Sequence, residues 1–227
     1  MGVTNLYLKV RRKQDLQPVD TLCFTTAGID LNIRCVPVRQ VLVTSLPILH
    51  QCGLRPGDLR ENIVVDFANL HDLPSGTILR IGDALIRLTF HCEPCKPVLK
   101  YVLLKDILHK RGVLGQFLNS GQMRIGDRLT VTRACAEAIP YDTKKRIRWY
   151  MARQLEPVTA SKLIFDLGLH SSYARALPAI LRKMPELDRS AVIFKARESA
   201  SAENHRKGLT QEQSRKCQVS ASNILAV

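Results

Sequence analysis

The stretch "LTFHCEPCKPVL" contains a local pair of thiols, Cys92 and Cys95. A thiol that carries sulfur or binds a soft metal must be a thiolate. His91 and Lys96 stand beside the pair and would favour the thiolate if their side chains turned toward it, whereas Glu93 would oppose it. These residue types suit a reactive thiol, and the rest of the chain limits what that thiol could do.

Four interpretations of this pair have to be compared. It could be half of a zinc site, a redox pair, two buried packing residues, or one functional thiol with a neighbour. A zinc site needs further ligands, and the sequence has no other Cys-x-x-Cys and no pair of histidines at finger spacing. A thioredoxin-like pair usually opens a helix after a strand, and the Glu-Pro inside this pair fits that pattern loosely. The zinc interpretation is disfavoured, and the other three remain.

The seven cysteines of this 227-residue chain are odd in number and scattered. No hydrophobic leader precedes them, so we expect reduced cysteines rather than a disulfide framework. Five are expected to be inert: Cys23, Cys35, Cys52, Cys135 and Cys217. No apolar run approaches the roughly 18–20 residues of a membrane span. We therefore expect a cytoplasmic protein with no membrane partner.

Up to about residue 135 the sequence has the pattern of strands. Short β-branched runs such as "RQVLVTS", "NIVVDF" and "ALIRLTF" are separated by Gly, Pro or Asp. Gly82-Asp83 between two such runs predicts a hairpin, and Gly126-Asp127 predicts a second one. Helices are expected in "LPILHQCG" and within "KYVLLKDILHKRG". A β-rich barrel or sandwich domain is predicted over residues 1–135.

The apolar period becomes helical further along the chain. Three short helices are predicted in "YDTKKRIRWYMARQLEP", "VTASKLIFDLGL" and "SSYARALPAILRKMP". Thr159 or Ser161 would cap the second helix and Gly168 would end it. "RSAVIFKA" could be a closing strand. A small, basic, winged-helix-like domain is predicted over residues 141–197.

The formal net charge of +14 is unevenly distributed. Residues 1–140 hold 18 basic and 12 acidic side chains, and residues 141–197 hold 12 and 5. The helical segment is therefore the better partner for a polyanion. Residues 198–227 are polar and aperiodic, which predicts a disordered tail.

The segment "GLRPGDLRENIVVDFANLHDLPSGTILRIGDALIRLTFHCEPC" resembles the core of the MOSC domain, which occurs at the C-terminus of molybdenum cofactor sulfurases and in stand-alone relatives. The matching positions are Gly57, Arg60, Glu61, Asn62, Leu73, Gly76, Ile81, Gly82 and Cys95. Residues 111–129 match the closing motif of that family. The resemblance covers residues 20–133 and implies a mainly β fold. The His-Gly-Gly segment usual in relatives is absent here.

The resemblance also implies a chemistry. The cysteine segment is similar to that of amidoxime-reducing members, where the second cysteine contacts molybdenum. By this resemblance Cys95 is the metal ligand or persulfide carrier, and Cys92 is its companion thiol. The residues expected to bind the molybdenum cofactor (molybdopterin) are Arg39, Arg60, Glu61 and Asn62. The expected partner is that cofactor or a sulfur donor such as a cysteine desulfurase, and the activity a molybdenum-dependent oxidoreductase or a sulfur transferase. Glu61-Asn62 could also be a structural turn.

Residues 141–185 resemble the winged-helix, DNA-binding part of alkylguanine-DNA alkyltransferases and alkyltransferase-like proteins. The positions that match the pattern of this family are Leu163, Leu167-Gly168, Ser172, Ala174-Arg175-Ala176, Ala179 and Pro185. The alkyl-accepting Pro-Cys-His-Arg motif is absent. The resemblance implies duplex DNA binding, with Arg175 entering the base stack. Phosphate contacts would come from Lys144, Lys145, Arg146, Arg148, Arg182 and Lys183. The other interpretation is a basic helical appendage. A non-catalytic nucleic-acid-binding protein with a MOSC-like scaffold is thus the alternative to the thiol hypothesis.

Overall fold

A computed structural model of the protein describes residues 1–11, 15–33 and 36–194. The strands in this part of the chain are β1 (Val3–Leu8), β2 (Gln17–Val19), β3 (Thr21–Thr25), β4 (Gly28–Ile29), β5 (Val41–Ser45), β6 (Ile63–Val65), β7 (Thr77–Ile81), β8 (Ala84–His91), β9 (Val113–Phe117), β10 (Gly121–Arg124), β11 (Leu129–Cys135), β12 (Val158–Thr159) and β13 (Val192–Ile193). The α-helices are α1 (Leu46–Gln51), α2 (Thr143–Met151), α3 (Ala160–Asp166) and α4 (Tyr173–Arg182). Short 3-10 turns lie at Pro37–Arg39, Ala68–Asp72, Lys96–Val98, Leu104–Ile107 and Arg189–Ala191.

Eight strands form one curled, half-barrel sheet in the order β11-β7-β8-β9-β5-β6-β1-β2. Neighbouring strands are antiparallel except β5 and β6, which run parallel. A second antiparallel sheet has the order β10-β3-β4. The predicted mainly β fold with few helices is confirmed. Met1–Ile193 forms one compact unit, and no helix of the described residues is long and apolar enough to cross a membrane.

The central strands β5 and β9 are buried on both faces. Val41, Val43 and Val113 belong to the main hydrophobic cluster of the sheet. Leu42 and Leu114 belong to a second cluster. Because successive side chains of a strand point to opposite faces, the two clusters lie on the two sides of the sheet. The sequence of each strand is therefore mainly apolar and does not alternate between apolar and polar residues.

A β-bulge near the end of β8 changes which face its side chains reach. The register of β8 against β9 shifts between Leu88 and His91. Leu88 packs in the main cluster, whereas Phe90 and Cys92 pack in the second cluster. Simple alternation would keep these three residues on one face, and a bulge interrupts that alternation. The bulge thus sets the direction of the chain just before the Cys-x-x-Cys segment.

The two predicted hairpins have different outcomes. Gly82 has a φ of 54° and joins β7 to its antiparallel neighbour β8, so the first hairpin is confirmed. The second hairpin was wrong, because β10 pairs with β3 while β11 pairs with β7. Met123 of β10 is fully buried opposite Leu22, and burying that side chain takes β10 into the smaller sheet.

The helical predictions largely agree with the structure. α1 forms where "LPILHQCG" predicts a helix, but "KYVLLKDILHKRG" forms only the 3-10 turn. Thr159 accepts a hydrogen bond from Lys162 N at 3.2 Å as the cap of α3, and Gly168 follows that helix with a φ of 62°. β13 pairs in parallel with β12, which closes the helical segment. The predicted boundary between residues 135 and 141 remains a prediction, and the predicted tail at 198–227 lies outside the described residues.

Candidate functional site

A cleft of about 350 Å³ opens beside the segment that follows β8. Its lining includes five side chains singled out in the sequence, which are Cys92, Cys95, Arg39, Arg60 and Asn62. The sixth, Glu61, is not part of the lining. The fold therefore brings the cysteine pair together with three candidate cofactor residues that are distant in sequence.

The two cysteines differ in accessibility. Cys92 is 4% exposed and packs in the second hydrophobic cluster of the sheet. Cys95 is half-buried and precedes the 3-10 turn Lys96–Val98, whose Val98 N donates to Cys95 O at 3.1 Å. Both thiols are free. Cys95 is therefore the thiol that a ligand can reach, and Cys92 mainly fills space behind it.

Arg111, which the sequence analysis missed, positions the cysteine segment. Its side chain is 7% exposed and lines the cleft. Nη1 donates to Glu93 O at 2.6 Å and Nη2 donates to Leu59 O at 3.3 Å, so one guanidinium ties the cysteine loop to the loop before β6. Its buried Nε has no partner within the described residues. The motif "RGVLGQF" contains this arginine, but nothing in that pattern marks it as buried.

Arg39 and Arg60 add positive charge to the cleft. Arg39 is the last residue of the 3-10 turn Pro37–Arg39, and its Nη1 donates to Gly168 O at 2.7 Å. Arg60 has a φ of 63°, a left-handed conformation that non-glycine residues seldom adopt. Lys9 also lines the cleft, and Glu93 is the acidic side chain in its lining. The cleft thus has a surplus of cationic side chains around a thiol, which favours an anionic ligand.

The side chains of Glu61 and Asn62 form hydrogen bonds mainly with backbone groups. Asn62 Oδ1 accepts from Leu42 N at 3.2 Å, and its Nδ2 donates to Tyr7 O at 3.2 Å, so the amide joins β5 and β1, the two strands on either side of β6. Glu61 is fully buried, and its Oε1 accepts from Gly57 N at 2.6 Å. These contacts fit the structural-turn interpretation, and they place Glu61 away from any ligand in the cleft.

Replacing Glu61 with glutamine should flatten the pH dependence of stability. Burial raises the pKa of the Glu61 carboxyl, against the opposing backbone donor at Gly57. A carboxyl with a raised folded-state pKa contributes stability below its unfolded pKa and loses it as the pH rises through the folded-state value. Chemical unfolding at a series of pH values above about 4.5 should therefore show a smaller decline in Glu61→Gln than in wild type. Exposed Glu156→Gln is the control, and equal declines in wild type and Glu61→Gln would contradict the prediction.

A known protein domain matches the segment that contributes most of the residues lining this cleft. Residues 39–130 match the MOSC domain. The matched segment contains Arg39, Arg60, Cys95 and Arg111 and excludes the helical segment that follows. The sequence-based resemblance of this part of the chain is confirmed.

Solved structures share this fold at low sequence identity. The YuaD protein from Bacillus subtilis is 18% identical, with a TM-score of 0.51 over 60% of this chain and 96% of that one. A hypothetical protein is 17% identical, with a TM-score of 0.51 over 82% of this chain and 92% of its own. YiiM from Escherichia coli is 16% identical, with a TM-score of 0.47 over 86% and 100% of the two chains. No curated protein matches the chain.

The His91 side chain does not line the cleft beside Cys95. Its ring lies in a separate cavity of about 280 Å³ with His71 and Tyr141, and His109 is 5.6 Å from it between ring centroids. Burial, assisted by the neighbouring His109, lowers the pKa of His91 and favours its neutral form. His91 is therefore not turned toward Cys95, and Arg39, Arg60 and Arg111 contribute positive charge to that cleft.

The helical segment lies outside the MOSC match, and its resemblance to alkyltransferase-like modules is not supported. Its six candidate nucleic-acid residues are all exposed: Arg175, Lys144, Lys145, Arg148, Arg182 and Lys183. Arg148 forms an ion pair with Glu186. Arg146, also expected on phosphate, is 1% exposed and bonds backbone carbonyls, so that expectation was wrong. DNA binding stays a prediction.

Within residues 1–11, 15–33 and 36–194, no group of three or more His, Cys, Asp or Glu side chains could hold a metal ion. Cys92 and Cys95 therefore do not belong to a multi-residue protein cage there.

Proposed function

We propose that this protein acts through the Cys95 thiolate, as a sulfur carrier or as a molybdenum cofactor-binding protein. The observation that carries the proposal is that the accessible thiol shares one cleft with Arg39, Arg60 and Arg111. Cationic side chains around the thiol favour anionic ligands and anionic reacting groups. The MOSC match of residues 39–130 supports the same chemistry.

The residues of the cleft suit a molybdenum cofactor in part. A thiolate is a soft ligand of the kind that such a metal accepts. Arg39 and Arg60 present cationic groups for the phosphate of the cofactor, and the buried Nε–H of Arg111 is a donor without a partner in the described residues. The amide of Asn62 is already used by the backbone, so it contributes little to pterin recognition. When bound, the cofactor would supply two-electron redox chemistry of the metal.

Sulfur transfer needs only the thiolate and a donor. The Cys95 thiolate would attack the outer sulfur of a persulfide, R–S–SH, forming Cys95–S–SH and releasing R–S⁻ as the S–S bond of the donor breaks. Arg111 would hold the cysteine loop in place through Glu93 O during this step. Cationic side chains of the cleft would stabilise both the attacking and the leaving thiolate. A cysteine desulfurase is the class of protein that could provide the persulfide.

The content of bound molybdenum and pterin, or of cysteine persulfide, should be at least about tenfold lower in Cys95→Ser than in wild type. The reason is that serine is a poor substitute for a thiolate at neutral pH. Protein from a cofactor-competent host would be assayed by metal analysis and pterin fluorescence. Persulfide formed with a sulfane-sulfur donor would be located by mass spectrometry. The matched control is Cys52→Ser, at a partly buried cysteine after α1.

Equal cofactor and persulfide content in wild type and Cys95→Ser would overturn the proposal, as would their absence from the wild-type protein. Persulfide without molybdenum would assign the sulfur-carrier role. Molybdenum and pterin that depend on Cys95 would assign the cofactor role. The enzymatic activity, as an oxidoreductase or a sulfur transferase, would then be measured with the corresponding acceptors.

A further inference from the structure

The helical segment forms one side of the cleft that contains Cys92 and Cys95, the thiol cleft. Arg39 lines the cleft and donates from Nη1 to Gly168 O at 2.7 Å, a contact between positions 129 residues apart. A Cβ on Gly168 would lie 2.7 Å from Arg39 Cδ, so the backbone at this position packs directly on the arginine. Two residues later, His170 lines the same cleft. The wall of the cleft is therefore shared between the MOSC segment and the turn that joins α3 to α4.

Ser172 holds the His170 ring in a defined way. His170 Nδ1 is 2.8 Å from Ser172 Oγ and 3.2 Å from Ser172 N. In a neutral ring, the backbone N–H of Ser172 can donate to Nδ1, which leaves the ring proton on Nε2. In an imidazolium, the Nδ1–H can donate to the Ser172 hydroxyl. The one serine supplies a partner in both states, and in both of these arrangements Nε2 carries a hydrogen.

Nε2 is then the nitrogen of His170 available to a ligand. No partner of this atom is found within the described residues, and the side chain is exposed where it lines the cleft. The other charged side chains of the lining are Lys9, Arg39, Arg60, Arg111 and Glu93. An N–H donor among several cations is suited to an oxyanion rather than to a cation.

We propose that His170 is a ligand-binding residue of the thiol cleft, which donates its Nε2–H to an anionic group held near Arg39 and Cys95. The basic helical segment would thus act in recognising the ligand of the MOSC segment. This inference rests on the proposed function only in taking the cleft as the ligand site. It predicts that an oxyanion binds more weakly when this ring N–H is removed, because a charge-assisted hydrogen bond from the wall of the cleft is lost.

Protection of Cys95 against alkylation tests this role directly. Sulfate is the probe, and iodoacetamide labelling of Cys95 at one fixed pH would be followed by peptide mass spectrometry. For the wild-type protein, sulfate should slow the labelling of Cys95 in a concentration-dependent way, because an anion held by the cleft shields the thiol.

His170→Asn is the decisive variant. The asparagine carbonyl can still accept the Ser172 N–H, so the start of α4 is preserved, but the shorter side chain does not provide the Nε2–H. Sulfate should bind about three- to tenfold more weakly than in wild type at the same pH. Cys92, Cys95 and Glu93 are unchanged in this variant. His50→Asn, at an exposed histidine of α1 outside the lining of the cleft, is the matched control.

A His170→Asn variant with wild-type sulfate affinity would overturn the inference, and so would a failure of sulfate to protect wild-type Cys95. Neither result would change the outcome of the cofactor and persulfide measurements on Cys95→Ser. Conversely, loss of the proposed function with intact, His170-dependent sulfate protection would leave an anion site of another purpose. The two proposals can therefore fail separately.

Discussion

Replacing Arg146 with methionine should lower the free energy of unfolding by about 3–5 kcal/mol. The side chain is 1% exposed and joins two parts of the backbone, residues 140–141 and Leu167. It donates to the carbonyl oxygens of Pro140 at 2.8 Å, Tyr141 at 2.5 Å and Leu167 at 3.3 Å. Methionine fills much of the volume but donates nothing, so three carbonyls lose a donor in a site with little access to water.

Arg146 also connects α2 to the main sheet. Its guanidinium carbon lies 3.7 Å from the centroid of the Phe90 ring, an arrangement that stabilises a cation over an aromatic face. Burial lowers the pKa of Arg146 to about 10, and the nearby Glu93 carboxylate acts in the opposite direction. The side chain therefore remains cationic at neutral pH, close to the loop that carries Cys95. Loss of this arginine should loosen the helical segment and the cleft together.

Urea unfolding at neutral pH measures the effect, with Arg148→Met as the matched control. Arg148 lies on the same helix, but its side chain is 53% exposed and pairs with Glu186 at the surface. Such exposed ion pairs contribute about 0–1 kcal/mol. The prediction would be refuted by equal losses in the two variants, or by a loss below about 1 kcal/mol in Arg146→Met.

Acidification should destabilise the protein by about 2–3 kcal/mol through His71 alone. Burial of this side chain, with the neighbouring His91 next in importance, lowers the pKa of His71 to about 4 from 6.5. Both ring nitrogens are buried away from solvent. A histidine with a depressed folded-state pKa contributes stability above its unfolded pKa. That stability is lost as the pH falls from 6.5 toward 4, because the unfolded chain takes up the proton first.

The measurement compares the free energy of unfolding at about pH 7 and about pH 4.5 in wild type and His71→Leu. The variant should lose clearly less stability than wild type over this interval, because leucine does not titrate. His91 is also shifted to a lower pKa, so part of the acid sensitivity should remain. An identical loss in both proteins would show that His71 is not responsible. Comparing each protein with itself at two pH values removes the effect of altered packing.

The placement of the arginines changes how the positive charge of this chain is understood. Charge distribution along the sequence pointed to the helical segment as a surface for polyanions. In the structure, Arg146 of that segment is internal, whereas Arg39, Arg60 and Arg111 of the preceding region line a cleft beside Cys95. Part of the cationic surplus is thus used to hold the fold together and to build one site. The six exposed cations of the helical segment remain candidates for phosphate contacts.

Local features of the sequence determined the elements of this fold. Gly82-Asp83 specifies a hairpin because glycine adopts the positive φ that the turn requires. Thr159 and Gly168 delimit α3, since a hydroxyl satisfies an N-terminal amide and glycine permits the left-handed residue after the helix. The spacing of Cys92 and Cys95 also identified the segment that carries the thiol. Each of these features depends on residues only a few positions apart.

Tertiary structure alone decided which side chains share the cleft. Arg39, Cys95, Arg111 and His170 meet because of strand order and sheet pairing, which short-range patterns do not encode. The bulge in β8 set the face of Cys92, and one register shift of that kind reverses the face predicted by simple alternation. Arg111 and Arg146 look like surface residues in the sequence, because arginine is seldom buried unless paired and its partners here are distant backbone carbonyls. The sequence by itself thus identifies the thiol, and the tertiary structure determines the cationic site around it.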